Sequence, residues 1–159
     1  MKNFFCAENS VIETNVSLGD GTKIWYFSHI RRGAKIGSDC IVGDYVFIDS
    51  DVIVGDDVKI ANNVSLYAGT IIRNRVFIGN GTVITNVRNP IAKRKGRRLD
   101  TIVDDDASIG ANATIVAGVK IGRMATVGEG AIVLHDVPDM TFVAGKVAHI
   151  KKEYKVHDQ

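Results

Sequence analysis

The amino-acid sequence predicts an all-β parallel solenoid, and three observations carry that expectation. Stepping by six from Ile12 meets Leu18, Ile24, Ile30, Ile36, Val42, Ile48, Val54, Ile60, Leu66, Ile72, Ile78 and Ile84, an aliphatic residue at every step. Four residues after each of these stands a small or β-branched residue, as in Val16, Thr22, Ser28, Ala34, Cys40 and Val46. Between them fall turn formers such as Gly19-Asp20, Gly43-Asp44, Gly55-Asp56 and Gly110-Ala111-Asn112. A period of six fits neither an α-helix nor a long strand, whereas very short strands joined by turns satisfy it. A unit this small cannot bury its own apolar face, so it must stack on copies of itself with both repeated positions pointing inward.

Taken in order, the elements support that reading. Phe4 and Phe5 are expected to cover the open first coil, because an exposed solenoid end invites edge pairing. The first array runs to Ile84, and a second resumes at Val103, Ile109, Ile115, Ile121, Val127 and Val133, partnered by Ala107, Ala113, Val119, Ala125, Ala131 and Val137. These nineteen units, three to a coil, make about six coils, a prism roughly 30 Å tall at the ordinary strand spacing. The segment from about 85 to 102 has lost the repeat and reads as a loop leaving the prism, with five basic residues between positions 93 and 98. Two accounts of that cluster stand side by side: a solvated basic run, or a functional loop reaching a ligand or a neighbouring subunit. Beyond Pro138 the pattern fades into a tail, in which residues 150–154 are expected to form one or two helical turns that cap the last coil. One domain, residues 1–159, accounts for everything.

Composition narrows the function classes. Sixteen glycines with only two prolines in a chain that is 45% apolar point to repeated turns around a core rather than to a flexible linker. A formal charge of +2 gives no ground for nucleic-acid binding. The apolar stretch Phe4-Phe5-Cys6-Ala7 is too brief for a signal-peptide core or a membrane span, so a cytoplasmic location is expected. Cys6 and Cys40 are too few for a disulfide framework or a zinc ribbon and are expected to be free thiols.

The aliphatic and small-residue hexapeptide pattern resembles that of the left-handed parallel β-helix, and the handedness expected here comes from that resemblance. Segments 24–30 (Ile-Trp-Tyr-Phe-Ser-His-Ile), 58–67 (Val-Lys-Ile-Ala-Asn-Asn-Val-Ser-Leu-Tyr) and 85–90 (Thr-Asn-Val-Arg-Asn-Pro) resemble more particularly the hexapeptide-repeat acyltransferases that acetylate a 3-amino sugar linked to UDP or dTDP. Segments 101–103, 109–116 and 136–139 continue the likeness, which spans nearly the whole chain. The chain departs from that family's pattern at Tyr26, where relatives carry histidine, at Ala68, where they carry an acidic residue, and at Val147, where they carry proline.

The resemblance implies acetyl-coenzyme A as cosubstrate, no metal, a nucleotide-linked amino sugar as acceptor, and a homotrimer with sites between subunits, consistent with cyclic closure of three flat-faced prisms. It places Asn86 beside the sugar amine, with His29 nearer the nucleotide or in a subunit interface. It also implies an acceptor pocket at Tyr26, Asn62, Asn63 and Tyr67; by charge alone, Arg88, Arg94 and Arg98 are available to a diphosphate. Ala117, Gly118, Lys120, Arg123, Gly145, Lys146 and Lys151 are the implied coenzyme A contacts. Plainer accounts remain for each: Asn86 as a turn residue opening the loop, His29 as a surface histidine at an interface, and the lysines as ordinary surface charge. His29 and Asn86 are 57 residues apart, so about three coils or roughly 14 Å separate them within one chain.

The chemistry asks little of the protein. Acyl transfer to an amine needs an uncharged nitrogen, a thioester held within attack distance and a donor for the developing oxyanion. Acetylation of a 4-amino sugar nucleotide, or of another amine or hydroxyl, is the nearest alternative. From other classes come a γ-type carbonic anhydrase, disfavoured because His29, His135, His149 and His157 lack the spacing for three clustered zinc ligands, and a non-catalytic β-helix, disfavoured by the inserted basic loop.

Overall fold

The computed structural model describes residues 3–93 and 96–145, and within them the chain winds as a left-handed parallel β-helix with three flat faces. The first face stacks Phe5–Cys6, Lys23–Ile24, Ile41–Val42, Lys59–Ile60, Phe77–Ile78, Ser108–Ile109, Thr126–Val127 and Phe142–Val143. The second stacks Val11–Ile12, His29–Ile30, Phe47–Ile48, Ser65–Leu66, Val83–Ile84, Thr114–Ile115 and Ile132–Val133. The third stacks Ser17–Leu18, Lys35–Ile36, Ile53–Val54, Thr70–Ile72, Thr101–Val103 and Lys120–Ile121. Every pairing is parallel, and outside the insertion and the last rung partners lie eighteen residues apart, as in Lys23 with Ile41.

Eight strands on the first face show that six coils is an undercount. Phe5–Cys6 and Phe142–Val143 form rungs of their own, paired with Lys23–Ile24 and Thr126–Val127. The aliphatic period hid the first because Cys6 fills the inward position, and the second because its register step is sixteen residues rather than eighteen. Phe5 is therefore part of a ladder with an exposed side chain, not a plug over the end. Among the described residues there is no helix; the turns expected at 150–154 lie outside them.

The core is a single column. Ile24, Ile30, Ile48, Ile60, Leu66, Ile78, Ile84, Ile109 and Ile115 are completely or almost completely buried, each stacked on the residue one coil away. The partner position four residues on is equally buried at Ala34, Val58, Val64, Ala113 and Ala125. At Thr22 and Ser28 that partner is polar, and its hydroxyl both donates and accepts. Thr22 Oγ1 donates to the Gly37 carbonyl at 2.7 Å and accepts from the Cys40 N–H at 3.1 Å, and Ser28 Oγ donates to Gly43 and accepts from Val46. Buried polar groups that are satisfied in this way carry no desolvation penalty.

Corners obey two separate constraints. A Cβ on Gly79 would lie 2.6 Å from the Ala111 backbone nitrogen of the next rung, so that position needs glycine for close approach. Two residues on, Gly81 has φ +71°, and the equivalent corner positions are filled by residues such as Asn15, Asp39, Asp57, Asn63 and Asn112 in the same left-handed region. Asx side chains also tie corner to corner. Ser38 N–H donates to Asp56 Oδ1, Asp56 N–H to Asn74 Oδ1, and Asn74 N–H to Asp105 Oδ1, at 2.7, 2.9 and 2.8 Å.

The insertion is clean. Phe77 pairs with Ser108 at a separation of thirty-one residues, so thirteen extra residues have been added without shifting the register. Thr101 and Ile102 already belong to a third-face strand, which shortens the loop from the expected 85–102 to 85–100.

Two outcomes check this account. Ile78→Ala, which hollows a site where the stacked rungs cannot collapse, should cost about 2–5 kcal/mol, read as a lowered denaturation midpoint. Acid should also destabilise the corners. The Arg75 guanidinium, donating to both Asp106 oxygens, holds that carboxyl below its usual range, and the Asp105 N–H, followed by Lys120, does the same for Asp104. Because the folded-state values are depressed, this stabilisation is complete above the ordinary carboxylate value of about 4 and is lost as pH falls through the lowered ones. The melting temperature should thus hold from pH 7 to about 5 and decline below about 4.

Candidate active site

The loop departs from the corner between the second and third faces, and its roots are pinned by backbone hydrogen bonds. Thr85 N–H donates to Ile115 at 3.0 Å, Leu99 N–H closes the neck on the Asn86 carbonyl at 3.0 Å, and Thr101 N–H restarts the third face on Gly69 at 3.0 Å. A compact loop with near ends is a usual carrier of function. Inside it Val87, Ile91, Gly96 and Leu99 line a cavity of about 480 Å³ together with Arg88, Asn89 and Arg97. The Arg88 guanidinium donates to the Leu134 carbonyl, strapping the loop toward the last pass of the second face.

The same corner gathers several of the residues singled out from sequence. Tyr67 sits one rung toward the N-terminus from Thr85-Asn86, and Ala117-Gly118 one rung beyond, because these segments follow successive second-face strands. Ala117 N–H donates to Thr85 Oγ1 at 2.9 Å, and Gly118 N–H donates to Thr101 Oγ1 at 3.0 Å. Both amides of that turn are occupied, so what it presents to a ligand is its carbonyls. Gly118, at φ +84°, lets the Leu99 side chain lie against it, since a Cβ there would stand 3.1 Å from Leu99 Cδ1. The Arg98 side chain passes Gly69, where a Cβ would lie 3.4 Å from Arg98 Cδ.

Other candidates lie elsewhere. His29 is on the second face three rungs from the Val83–Ile84 strand, about 14 Å along the axis, so one chain does not bring it to Asn86. Its Nε2 is 2.8 Å from Glu13 Oε1, and its ring meets Phe47 edge-on at 6.0 Å. Glu13 also accepts from the Arg32 N–H at 3.0 Å, and this bond, then His29, lowers the Glu13 carboxyl below its ordinary range. Tyr26, Asn62 and Asn63 occupy the opposite edge of the second face. Asn62 Oδ1 accepts from the Asp44 N–H at 3.0 Å, Asn63 is a left-handed corner at φ 62°, and Tyr26 joins an exposed aromatic strip with Trp25 and Phe27. The expected acceptor pocket is thereby divided, with Tyr67 alone of that group at the Asn86 corner.

Among the coenzyme A candidates, Lys120 points out from the third face and pairs with Asp104 at 3.4 Å. Arg123 is at the next corner, its N–H donating to Asp139 Oδ1. Gly145 lines a cavity of about 240 Å³ with residues 131–137. Arg94, Lys146 and Lys151 lie outside the described residues.

An outer column leading to the site follows directly from the eighteen-residue period. Residues 13, 31, 49, 67 and 85 are one column at eighteen-residue spacing, running Glu13, Arg31, Asp49, Tyr67 and Thr85. Arg31 bonds Asp49 Oδ1 at 3.0 Å, and Asp49 Oδ2 accepts from the Ala68 N–H at 3.2 Å. A carboxylate thus lies against Ala68, from the rung before. Among the described residues no three of His, Cys, Asp and Glu gather as metal ligands, and no helix is long and apolar enough to cross a membrane.

Known proteins place the chain. The pattern "Bacterial transferase hexapeptide (six repeats)" matches residues 15–50 and 51–86, and "Hexapeptide repeat of succinyl-transferase" matches 33–68 and 100–135. No curated protein sequence matches the chain significantly. Among solved structures, PerB from Caulobacter crescentus in complex with CoA and GDP-perosamine is 19% identical, with 91% of this chain covering 55% of that one at a TM-score of 0.53. The acetyltransferase domain of PglB from Neisseria gonorrhoeae, in complex with acetyl coenzyme A, is 18% identical over 89% of this chain and 54% of its own, at 0.57. LpxA, a UDP-N-acetylglucosamine acyltransferase from Bacteroides fragilis, is 21% identical over 91% of this chain and 58% of its own, at 0.75. At these identities the likeness is one of fold, and the chain spans little more than half the length of each. With repeat matches across residues 15–86 and 100–135 on a three-faced left-handed coil, the chain belongs to the hexapeptide-repeat acyltransferase family.

Proposed function

We propose that the protein is an acetyl-coenzyme A-dependent N-acetyltransferase that acetylates the 3-amino group of a UDP- or dTDP-linked amino sugar, for use in surface-polysaccharide synthesis in the cytoplasm. The observation that carries this reading is the corner where Tyr67, Asn86, the Ala117-Gly118 turn and the root of the basic loop meet on the coil of this family. The structures of similar fold that hold CoA with GDP-perosamine, or acetyl coenzyme A, support the two substrate classes.

In this reading the acyl donor approaches from the C-terminal coils and the acceptor from the N-terminal ones. Asn86 Oδ1 accepts a hydrogen bond from the amine N–H and thereby aims the nitrogen lone pair at the thioester carbon. The C–N bond forms, the tetrahedral intermediate collapses with cleavage of the C–S bond, and the departing sulfur takes up the proton lost by nitrogen. Amide and free thiol result, with no covalent enzyme intermediate. Arg98, whose side chain passes Gly69, meets the acceptor's diphosphate, with Arg94 completing the set, while Arg88, bound to the Leu134 carbonyl, holds the loop on the donor side. Lys120, Arg123, Lys146 and Lys151 meet the donor's phosphates, with Gly145 giving the pantetheine arm room. Three copies around a threefold axis form the grooves in which both substrates lie. The GDP-perosamine complex favours a second reading, acetylation of a different nucleotide amino sugar at this same corner.

A thiol-release assay with acetyl-coenzyme A and a panel of nucleotide-linked 3-amino and 4-amino sugars tests the proposal: a 3-amino sugar should turn over best, and no turnover across the panel would sink it. In the same assay Asn86→Ala should lower kcat at least tenfold while leaving coenzyme A binding within about twofold. An unchanged kcat removes Asn86 from the reaction.

A further inference from the structure

Phe47 is unaccounted for by the core, the corners or the reaction. It occupies the outward position of a second-face strand, where its neighbours one coil away are His29 and Ser65, and it is half-buried among side chains rather than covered by them. Its ring stands 5.6 Å from Tyr67 and 6.0 Å from His29, so three rings run diagonally across neighbouring columns of the face. That aromatic path begins beside Asn86 and leads away from the Ala117-Gly118 turn. Tyr67 lies one rung from Thr85, Phe47 two and His29 three, which puts them at about 5, 10 and 14 Å along the axis.

We infer that Phe47 is the stacking platform for the nucleobase of the acceptor, with Tyr67 at its flank and His29 at the base edge; this rests on the acceptor being a nucleotide-linked sugar. Two phosphates and a ribose separate the amino sugar from its base, a span of the same order as two to three rungs, about 10–14 Å. With the amine at Asn86, the diphosphate falls at the Tyr67-Gly69 turn, past which the Arg98 side chain runs, and the base falls at Phe47. Aromatic rings bind any base through its π-face, and the specificity comes from polar groups at the edge. His29 supplies such a group: its Nε2 is held by Glu13, and among the described residues Nδ1 has no hydrogen-bond partner. Glu13 and Arg31, tied together at 3.6 Å, keep that imidazole in place.

The test is calorimetric titration of the protein with UDP, with inorganic diphosphate and acetyl-coenzyme A as controls. Phe47→Ala should weaken UDP about ten- to a hundredfold and leave the controls within twofold, whereas Phe47→Trp should restore UDP. A melting curve for each variant checks that the coil is intact. If Phe47→Ala binds UDP as the wild type does, the inference fails while the acyltransferase reading stands. If the wild type binds acetyl-coenzyme A but none of UDP, dTDP and GDP, the nucleotide platform fails together with the nucleotide-linked acceptor. If acetyl-coenzyme A itself does not bind but UDP binding depends on Phe47, the platform survives and the transferase reading falls.

Discussion

Everything in this protein depends on the stacking of each aliphatic side chain on its counterpart one coil away. Ile24, Val42, Ile60, Ile78, Ile109 and Val127 form one such file on the first face, all buried. A two-residue strand is worth almost nothing alone. Paired on both sides and packed against two other files, it loses its apolar surface to its neighbours and its backbone groups to the ladder above and below. The dependence is mutual, since the ladder sets the 4.8 Å spacing that lets the side chains touch, and the side chains hold the rungs in register.

That spacing turns the outer surface into a lattice. Residues eighteen apart become neighbours, so functional groups are arranged by column and by height rather than by proximity in sequence. The column at Glu13, Arg31, Asp49, Tyr67 and Thr85 alternates charge before ending in the polar corner at Asn86. Its first three members satisfy one another by ion pairing, and its last two frame the proposed acyl-transfer site. A thirteen-residue insertion can open at one corner because the register resumes undisturbed below it. Loop and scaffold are then joined by few contacts: the Leu99 bond to Asn86, the Thr101 and Thr85 hydroxyls beneath the Ala117-Gly118 turn, and the Arg88 strap.

Threonine serves two purposes in this architecture. At Thr22 and Thr82 the hydroxyl is buried in a corner and bonds the carbonyl of the rung below, a purely structural use. At Thr85 and Thr101 it accepts from the amides of a turn that faces the site, and so decides which backbone groups remain for a ligand. The two uses look alike in sequence. Only the strand neighbours distinguish them.

The period, the inward positions, the parallel stacking and the place of the interruption were legible in the residues alone, because each follows from a side-chain pattern repeated often enough to have one packing solution. Resemblance to the sugar-nucleotide acetyltransferases pointed to Asn86 at the loop's root, and counting rungs put His29 about three coils from it within one chain. Sequence alone missed the first and last rungs, where Cys6 and a sixteen-residue step broke the pattern, and it grouped Tyr26, Asn62, Asn63 and Tyr67 as one pocket. The tertiary structure divided that group, since position within a six-residue unit decides which corner a residue occupies, and two corners of one face are a full strand apart. It alone decided that the Ala117 and Gly118 amides are spent, that Asp49 approaches Ala68, and that Phe47 bridges Tyr67 and His29. Those are contacts between rungs, and they depend on side-chain direction and on bond partners that no single repeat unit contains.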